Sequence, residues 1–356
     1  MGKKPVIVMV IPDLKGNGAE RVLLTLATGF TQHNCDVHIV VFHDFIELES
    51  DKSFKLHVFN KHYRWIPKPI RGKVLAPMLD KYIIKTCGVP DLVLSNLMPV
   101  DRILCQSRLK NTFLVLHNTI GQELLKGLSA SKKQRLIKKL AKIYNKKPTI
   151  SVSKGVMEDF ESVFHSRFDS HQIYNPIDIK LINKLSREYL PTVSGYLVHV
   201  GKFKHQKRHD ILIKAYNHST VQKPLVLVGQ GPLKKDCQEL VNDLGLNDRV
   251  IFAGFKSNPY PYIKNADLMI LSSEYEGLGL VILESLALET PVISTDCESG
   301  PREILPKDNL VSVNNVEELS NKISDATNNM DKYFSNISRD FFLEASTLQY
   351  LNLIKQ

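Results

Sequence analysis

Short apolar stretches alternate with helix-like segments along the chain, and this alternation is the feature that most constrains the fold. In the first half the apolar stretches are VIVMVI, VHIVVF, DLVLS, TFLVLH and TISVS, at 6–11, 37–42, 91–95, 112–117 and 149–153. Continuous apolar runs of this length are typical of parallel strands that are covered on both faces. Helical patterns between them, such as 18–33 and 72–87, predict a βαβ series and an α/β fold.

The series breaks and then starts again. The break lies at 173–195, where Pro176, Pro191 and Gly195 interrupt the pattern. New strands are predicted at 196–200, 224–228, 249–253, 267–271 and 291–295, with helices near 207–219, 232–245 and 279–289. A chain of 356 residues has room for about two domains. We therefore predict Rossmann-like domains at 1–175 and 176–335, and a C-terminal helix at 336–356 that crosses back to the first domain.

Composition limits the partners and the compartment. The chain has 47 Lys and Arg against 37 Asp and Glu, a net charge of +10, which favours an anionic partner such as a phosphate ligand, nucleic acid or an acidic membrane. The five cysteines are odd in number and form no CxxC pair, so we expect a reducing compartment and no structural zinc. The first apolar run ends at Pro12, which favours a core strand over a signal peptide, and no stretch reaches the roughly 18 apolar residues of a membrane span. We expect a cytoplasmic protein.

The segment EGLGLVILE, residues 276–284, lies where a buried strand gives way to a helix. Gly277 and Gly279 allow close backbone approach, and the free N–H groups of a helix N-terminus favour an anion. Glu276 falls in the loop before the helix and Glu284 about two turns into it, so both are candidate ligand-binding groups. The alternative is a helix-capping acid followed by a solvated one.

A second candidate site is GKFKHQK, which follows the first strand of the second series. Lys202 and Lys207 are placed to hold a diphosphate, and fixed cations there would stabilise the charge of a departing nucleoside diphosphate. The alternative is a pair of solvated lysines.

The first domain offers two weaker candidates. Gly16 and Gly18 follow the first strand. Asp44 after the second strand favours a dinucleotide-binding dehydrogenase, but Arg21 stands where the dinucleotide fingerprint needs glycine, and this outweighs it together with the motifs of the second domain. The alternative for the glycine pair is a simple tight turn. His117 and Asn118 end a strand, and the carboxyl ends of parallel strands face the ligand crevice. The alternative there is packing, with Asn118 as a helix N-cap.

Five segments resemble, in the expected order, the motifs of glycosyltransferase family 4. SSEYEGLGLVILESLALETPVISTDCESGPREIL resembles the signature in which two glutamates line the nucleotide-sugar site. GNGAE resembles the glycine loop after the first strand, and the other three segments are HVGKFKHQKRHDILIKAY, LVGQGP and RVIFAGF. The resemblance covers nearly the whole chain, most specifically 196–305. It implies the GT-B fold, with two facing Rossmann-like domains and a cleft between them, and a retaining sugar transfer.

The resemblance also implies roles. The enzyme would be a hexosyl- or N-acetylhexosaminyltransferase that uses a UDP-sugar and a glycan acceptor, lipid-linked, in lipopolysaccharide, capsule or related surface polysaccharide synthesis. Glu276 would hold the sugar and Glu284 the ribose. The family has Arg at the position of Lys202. Lysine keeps the positive charge there but lacks the bidentate guanidinium group. The catalytic set would be Glu276, His117 and Lys207; the binding set would be Gly16, Gly18, Lys202, Lys207, Gly277, Leu278, Gly279, Leu280, Val281 and Glu284.

No cofactor is expected, and a metal is not required, because lysines and a helix dipole would replace it. Two alternatives stay open: a UDP-sugar 2-epimerase of the GT-B fold, and a non-catalytic protein that binds membranes or RNA.

A basic segment, 131–147, carries eight Lys and Arg and no acidic residue, with an apolar stripe at helical spacing. It predicts contact with the anionic cytoplasmic face of the inner membrane; the alternative is a helix packed on the sheet with its lysines in water. RNA motifs are missing, so no nucleic acid is expected. Two further segments are 60–73, an acceptor or membrane loop with Trp65, and 297–305, where Ser299, Gly300 and Pro301 are expected to face the cleft.

Overall fold

The computed structural model describes residues 3–16, 18–45, 53–59, 66–165 and 168–354. The chain forms two compact units, of which one comprises 1–176 with 340–356 and the other 177–339. Asn17 of the glycine loop and residues 60–65 of the 60–73 segment, including Trp65, lie outside the described residues.

The first unit contains a parallel sheet of seven strands. In chain order they are β1 Val6–Ile11, β2 Asp36–Val41, β3 Lys55–Val58, β4 Leu92–Asn96, β5 Thr112–Leu116, β6 Thr149–Ser151 and β7 Ser170–Gln172. The order across the sheet is β3-β2-β1-β4-β5-β6-β7, and every pairing is parallel. All six residues of β1 are buried, so the apolar run at the start of the chain is a core strand, as predicted.

Helices connect these strands: α1 Gly18–Gln32, α2 Lys68–Cys87, α3 Met98–Leu104, α4 Ala130–Tyr144 and α5 Lys154–Phe164, with a π-helical turn at Gly121–Leu125. The start of α5 is set by Ser153, whose side chain accepts a hydrogen bond from the Val156 N–H at 3.1 Å. No helix in the described part of the chain combines the length and apolar character needed to cross a membrane.

The second unit repeats the architecture with six parallel strands: β8 Leu197–Val200, β9 Leu225–Val228, β10 Val250–Gly254, β11 Leu268–Leu271, β12 Val292–Thr295 and β13 Leu310–Val311. Their order is β10-β9-β8-β11-β12-β13. The helices are α6 Ile179–Leu185, α7 His209–His218, α8 Lys234–Asp243, α9 Tyr260–Lys264, α10 Leu280–Ala287, α11 Pro301–Ile304 and α12 Val316–Asn328.

The last helix, α13 Leu343–Asn352, belongs to the first unit and packs on α1. Phe30 and Tyr350 meet edge to face with ring centroids 6.0 Å apart. Ser346 donates a hydrogen bond to the Tyr174 carbonyl oxygen at 2.8 Å. The chain therefore leaves the first unit once and returns to it after the second.

Each sheet reverses its strand order at one place, between β1 and β4 in the first and between β8 and β11 in the second. In doubly wound sheets the loops that leave the carboxyl ends of the two strands at such a switch point diverge and form the ligand crevice. The topology thus singles out the loops after β1, β4, β8 and β11.

Candidate functional site

The switch point of the second unit brings two loops together, 201–208 after β8 and 272–279 after β11. Three hydrogen bonds join them. Ser272 Oγ donates to the Lys207 carbonyl oxygen at 2.8 Å, Gln206 Nε2 to the Tyr275 carbonyl oxygen at 2.7 Å, and the Glu274 N–H to the Gln206 carbonyl oxygen at 2.8 Å. These hydrogen bonds join the two loops, although they are far apart in sequence.

An ion pair lies between these loops. Lys207 Nζ is 2.6 Å from Glu276 Oε1, and the two side chains are only 15% and 9% exposed. Ser273 Oγ donates to the same oxygen at 2.5 Å. Among the residues that the structure describes, no hydrogen bond ends on Oε2. The carboxylate is therefore oriented through one oxygen, and the other remains available to a ligand.

The segment 297–305 supports the Glu276 loop from behind. Ser299 Oγ donates to the Glu276 carbonyl oxygen, and Ser299 is buried. Gly300 has φ +84°, and a Cβ atom there would overlap the Leu278 carbonyl oxygen. Pro301 is buried too. These three residues hold the loop in place, so their role in this unit is support of the binding loop.

The loop after β9 supports the other side. A Cβ atom on Gly229 would overlap the Gly201 carbonyl oxygen, and one on Gly231 would overlap that of Phe203. The Phe203 N–H also donates to the Gln230 carbonyl oxygen at 3.0 Å. The two glycines are required because two backbones pass each other in contact.

Helix α10 begins at this site. Gly279 precedes it with φ +83°, a conformation that favours glycine, and no side chain caps the helix. The Ile282 N–H donates to the Gly279 carbonyl oxygen at 2.9 Å, while the N–H groups of Leu280 and Val281 have no acceptor among the described residues. Glu284, in the second turn, is half-buried, and Tyr260 OH lies 3.4 Å from its Oε1.

The two lysines predicted to bind a diphosphate differ in their surroundings. Lys207 is turned inward to Glu276, whereas the Lys202 side chain is exposed and forms no ion pair with any residue that the structure describes. The structure therefore supplies one oriented ammonium group and one exposed lysine side chain on the same loop.

In the first unit, His117 follows β5 and contacts Asn96 at the end of β4. His117 Nε2 is 2.9 Å from Asn96 Oδ1. The Asn96 amide nitrogen donates to the Val10 and Leu94 carbonyl oxygens, so Oδ1 must accept and Nε2 carries the proton. His117 Nδ1 is then a buried acceptor without a partner among the described residues. Burial lowers the pKa of His117 to about 4, so the ring is neutral at pH 7.

Asn118 does not cap a helix. The π-helical turn begins at Gly121, and its first N–H groups donate to a different side chain: Ile120 N to Asp159 Oδ2 at 2.6 Å and Gly121 N to Asp159 Oδ1 at 3.1 Å. Asn118 Oδ1 instead accepts from the Thr119 N–H at 3.1 Å. The alternative that assigned Asn118 a capping role is wrong.

The glycine loop after β1 is described at its two glycines. Gly16 has φ +84°, and Gly18 is the first residue of α1. The loop leaves the carboxyl end of β1 at the switch point of the first sheet, where the topology predicts a ligand crevice.

Two family models match this chain, and together they span most of it. The model described as Glycosyltransferase Family 4 matches residues 16–181, and the model described as Glycosyl transferases group 1 matches 185–340. The chain belongs to glycosyltransferase family 4. The family assignment does not favour the epimerase or the non-catalytic alternatives, since both matching models describe sugar-transferring enzymes.

One relative of this glycosyltransferase matches over most of its length. It is the N-acetylgalactosamine-N,N'-diacetylbacillosaminyl-diphospho-undecaprenol 4-alpha-N-acetylgalactosaminyltransferase of Campylobacter jejuni, 28% identical over 320 residues, which cover 86% of this chain and 85% of the relative.

Solved structures confirm the GT-B fold. The lipopolysaccharide outer core galactosyltransferase WaaB superposes with a TM-score of 0.71 at 20% identity, covering 98% of this chain and 99% of that one. HepE of Anabaena, solved with UDP and glucose, gives a TM-score of 0.72 at 20% identity, covering 99% and 98%.

Two histidines of this glycosyltransferase lie directly beneath the site and were not predicted from sequence. His199 is the third residue of β8. Its Nδ1–H donates to the Ile270 carbonyl oxygen at 2.8 Å, and its ring centroid lies 4.5 Å from that of His209. His209 stacks on Phe203 at 4.1 Å. Burial lowers the pKa of His199 to about 4 and that of His209 well below its ordinary value. They are neutral packing groups under the 201–208 loop. In sequence His199 lies between two valines and His209 between Arg208 and Asp210, and neither context indicates this stack.

Proposed function

We propose that this glycosyltransferase moves a hexosyl or N-acetylhexosaminyl group, with retention, from a UDP-sugar to a lipid-linked glycan acceptor in bacterial surface polysaccharide synthesis. The observation that carries the proposal is the buried Lys207–Glu276 pair next to the uncapped N-terminus of α10. This arrangement places a cation, free N–H donors and a carboxylate at one switch point. A nucleotide-sugar needs these groups, because the cation and the N–H donors can bind its diphosphate and the carboxylate can bind its hydroxyls.

The diphosphate is assigned to Lys207 and the N–H groups of Leu280 and Val281. An ammonium group has three donors, so Lys207 can keep its bond to Glu276 while it donates to phosphate oxygens. The helix N-terminus adds partial positive charge. Lys202, exposed on the same loop, is assigned to the outer phosphate oxygens. These groups stabilise the charge that develops on departing UDP without a metal ion.

The two carboxylates are assigned to the two sugars of the donor. Glu276 Oε2 accepts hydrogen bonds from hydroxyls of the transferred sugar, because Oε1 is held by Lys207 and Ser273. Glu284 accepts from the ribose hydroxyls, since it lies in the second turn of the helix whose first turn takes the phosphates. The backbone of Gly277, Leu278 and Gly279 lies between these two groups in sequence.

The acceptor is assigned to the first unit. His117 Nδ1 is a neutral, buried acceptor at the carboxyl edge of the sheet. Its low pKa makes the ring a poor base at pH 7, so we assign it a hydrogen bond from a sugar hydroxyl and not proton abstraction. Gly16 and Gly18 leave space for close backbone approach beside it.

In the reaction, the bond between the anomeric carbon and the UDP oxygen breaks, and a bond from that carbon to the acceptor oxygen forms. The acceptor proton passes to a phosphate oxygen of UDP. The Campylobacter relative is named for an alpha linkage and a diphospho-undecaprenol acceptor, and common UDP-hexoses carry alpha-linked sugars, which supports retention and a lipid-linked acceptor here.

The test is a panel of UDP- and GDP-sugars, scored first by protection of the purified protein against thermal unfolding and then by transfer to lipid-linked acceptors. We expect UDP-sugars to protect, Lys207→Met to weaken UDP binding at least tenfold, and chelation of divalent metals to leave turnover unchanged. Lys223→Met is the matched control. Lys223 forms an ion pair of the same 2.6 Å length with Asp267, at the amino ends of β9 and β11.

Three results would contradict this function. The first is UDP affinity that is equal in wild type and Lys207→Met. The second is conversion of UDP-GlcNAc to another sugar nucleotide without any acceptor, which would indicate an epimerase. The third is protection by GDP-sugars alone, which would move the donor to another nucleotide class.

We also propose that α4 contacts the anionic cytoplasmic face of the inner membrane through its lysines. The apolar stripe of α4 packs into the first unit, where Leu140 and Tyr144 are buried. Exposed cations cover the rest of the helix: Lys132, Lys133, Arg135, Lys138, Lys139 and Lys142. The attraction is then electrostatic, worth up to about 1 kcal/mol per cation near the surface, and involves no insertion of the helix.

Charge reversal tests the membrane contact. Replacing Lys138, Lys139 and Lys142 by Glu should abolish sedimentation with vesicles that contain phosphatidylglycerol, and salt should have the same effect on wild type. The control reverses three exposed lysines of α2, namely Lys73, Lys81 and Lys85. Equal loss in both triple variants would mean that only net charge matters, and no loss in either would remove the proposal.

A further inference from the structure

Two histidines and a cysteine meet at one edge of the first sheet, away from the site described above. His38 lies on β2, His57 on the neighbouring edge strand β3, and Cys87 is the last residue of α2. In the parallel register Val40 pairs with His57, so His38 and His57 are diagonal neighbours on one face of the sheet. The ligand atoms of the three side chains all lie within 4.8 Å of one another.

The two imidazole rings present nitrogen atoms to each other. His38 Nδ1 and His57 Nε2 are 2.9 Å apart, and the rings are nearly parallel, with 16° between their planes. A zinc ion with two nitrogen ligands at about 2.0–2.1 Å in tetrahedral geometry separates those nitrogens by roughly 3.3 Å. A small rotation of either side chain would move the two nitrogens to that distance. The ion would then take the place of the hydrogen atom that lies between them in the hydrogen bond.

The surroundings of His38 match those of a metal-binding histidine. Its other ring nitrogen, Nε2, is buried and has no hydrogen bond of normal geometry to a described residue, and Asp36 Oδ1 lies 3.4 Å from it. Metal-bound histidines commonly donate their second N–H to a carboxylate, which fixes the tautomer and the ring orientation. Asp36 in turn accepts hydrogen bonds from Lys55 Nζ, which lies 2.8 Å from its Oδ1 and 3.0 Å from its Oδ2. The carboxylate therefore offsets the positive charge of Lys55 next to the two histidines and the cysteine.

We propose that His38, His57 and Cys87 bind one Zn²⁺ ion, with a water molecule in the fourth position. Cys87 would bind as the thiolate and its proton would be released to solvent; both histidines would bind as neutral rings. Nitrogen and thiolate ligands together favour zinc over magnesium or calcium. Because β3 is the edge strand and α2 ends at Cys87, the ion would tie the edge of the sheet to that helix, a structural role independent of sugar transfer.

The site escapes prediction from sequence because its ligands come from three separate elements. The expectation of no structural zinc rests on the missing CxxC spacing, which detects only sites built from adjacent cysteines. Here the parallel pairing of β2 with β3 and the return of α2 bring residues 38, 57 and 87 together.

The experiment uses the full-length, untagged protein, stripped of metal. Zn²⁺ affinity is measured by competition with a chromophoric chelator, and Co²⁺ serves as a spectroscopic probe of the ligands. We expect one ion per chain, a thiolate-to-cobalt charge-transfer band, and loss of that band in Cys87→Ser. Asp36→Asn should weaken zinc binding by roughly 10–100-fold, as expected for an outer-shell carboxylate. Cys105→Ser, at another buried thiol of the same unit, is the control and should bind as wild type does.

The result is decisive in either direction. Failure of wild type to bind zinc, or affinities in Cys87→Ser equal to wild type, would overturn the proposal. His57→Gln provides a second variant on the half-buried edge strand in case Cys87→Ser does not fold, as judged by circular dichroism. Zinc affinity that is unchanged in a folded His57→Gln protein would overturn the proposal as well.

Discussion

The buried ion pair of the proposed donor site should differ from an ordinary surface pair in the free energy of unfolding that is lost when one partner is removed. Lys207 and Glu276 are 15% and 9% exposed, whereas Lys223 and Asp267 are 37% and 27% exposed, at the same 2.6 Å distance. Removing one partner of a buried pair leaves an uncompensated charge and costs about 3–5 kcal/mol. An exposed pair contributes about 0–1 kcal/mol. Lys207→Met should therefore destabilise the second unit by at least ~2 kcal/mol more than Lys223→Met.

A double-mutant cycle isolates the interaction. Lys207→Met, Glu276→Gln and the double variant are compared with the corresponding changes at Lys223 and Asp267. Hydrogen exchange of the amides of β8 and β11 reports the unfolding free energy of the second unit alone. We expect the double variant at the buried pair to recover much of the loss, because neither charge is then left unpaired, and we expect near-additivity at the exposed pair.

Coupling energies that agree within about 0.5 kcal/mol between the two cycles would refute an oriented, buried pair. Unchanged hydrogen exchange of the two strands in Lys207→Met would refute it as well. In either case the ammonium group would be solvated in solution, and the carboxylate would not be held in the orientation assigned to it.

Three further predictions concern backbone contact and pH. Gly229→Ala should abolish UDP binding because a Cβ atom would overlap the facing loop, whereas Gly245→Ala, also at positive φ but in open space, should retain it, as calorimetry can show. The free energy of unfolding of the second unit should decrease as pH falls from 6.5 toward 4. In the unfolded chain His199 and His209 bind protons in this range, whereas the buried rings stay neutral, and each histidine contributes up to about 1.4 kcal/mol of this decrease per pH unit. A free energy of unfolding in urea that does not change between these pH values would contradict this. Asp101 on α3 is buried, and burial raises the pKa of its carboxyl group to about 8. Between about pH 4 and 8 the folded carboxyl group therefore keeps a proton that the unfolded chain releases, so the free energy of unfolding of the first unit should decrease as pH rises through this range. Asp101→Asn should raise the free energy of unfolding at pH 8.

The central strands were predictable because burial on both faces leaves a continuous apolar run in the sequence. The predicted strand 6–11 agrees with β1, and the predicted 291–295 differs from β12 by one residue. Among the described residues, three strands escaped prediction, and all three lie at sheet edges. β3 is KLHV and β7 is SHQ, both partly exposed, and β13 is only the two residues LV. An edge strand forms because its backbone pairs with the neighbouring strand. Its own side chains therefore give little indication in the sequence that the segment is a strand.

The residues of the candidate site could be proposed from the sequence, but the contacts between them could not. The spacing of Glu276 and Glu284 marks a strand-to-helix turn, and the two lysines mark a loop after a strand. No local pattern shows that Lys207 reaches Glu276, because the pair joins loops 69 residues apart in sequence. That contact follows from the switch between β8 and β11, which is a property of strand order.

The same contact has a consequence for how the proposed donor would be recognised. Lys207 has three N–H donors and gives one to Glu276, so the ammonium group and the carboxylate hold each other in position before a donor arrives. A diphosphate that binds the remaining donors would bind to a cation that is already oriented. A sugar hydroxyl that binds Oε2 would bind to a carboxylate whose charge is already balanced by Lys207. Phosphate and sugar recognition would then be coupled through one 2.6 Å contact, so replacing either residue would disturb both. Arginine at position 207 would keep the charge, but its planar fork would direct the donors differently and would not maintain this coupling.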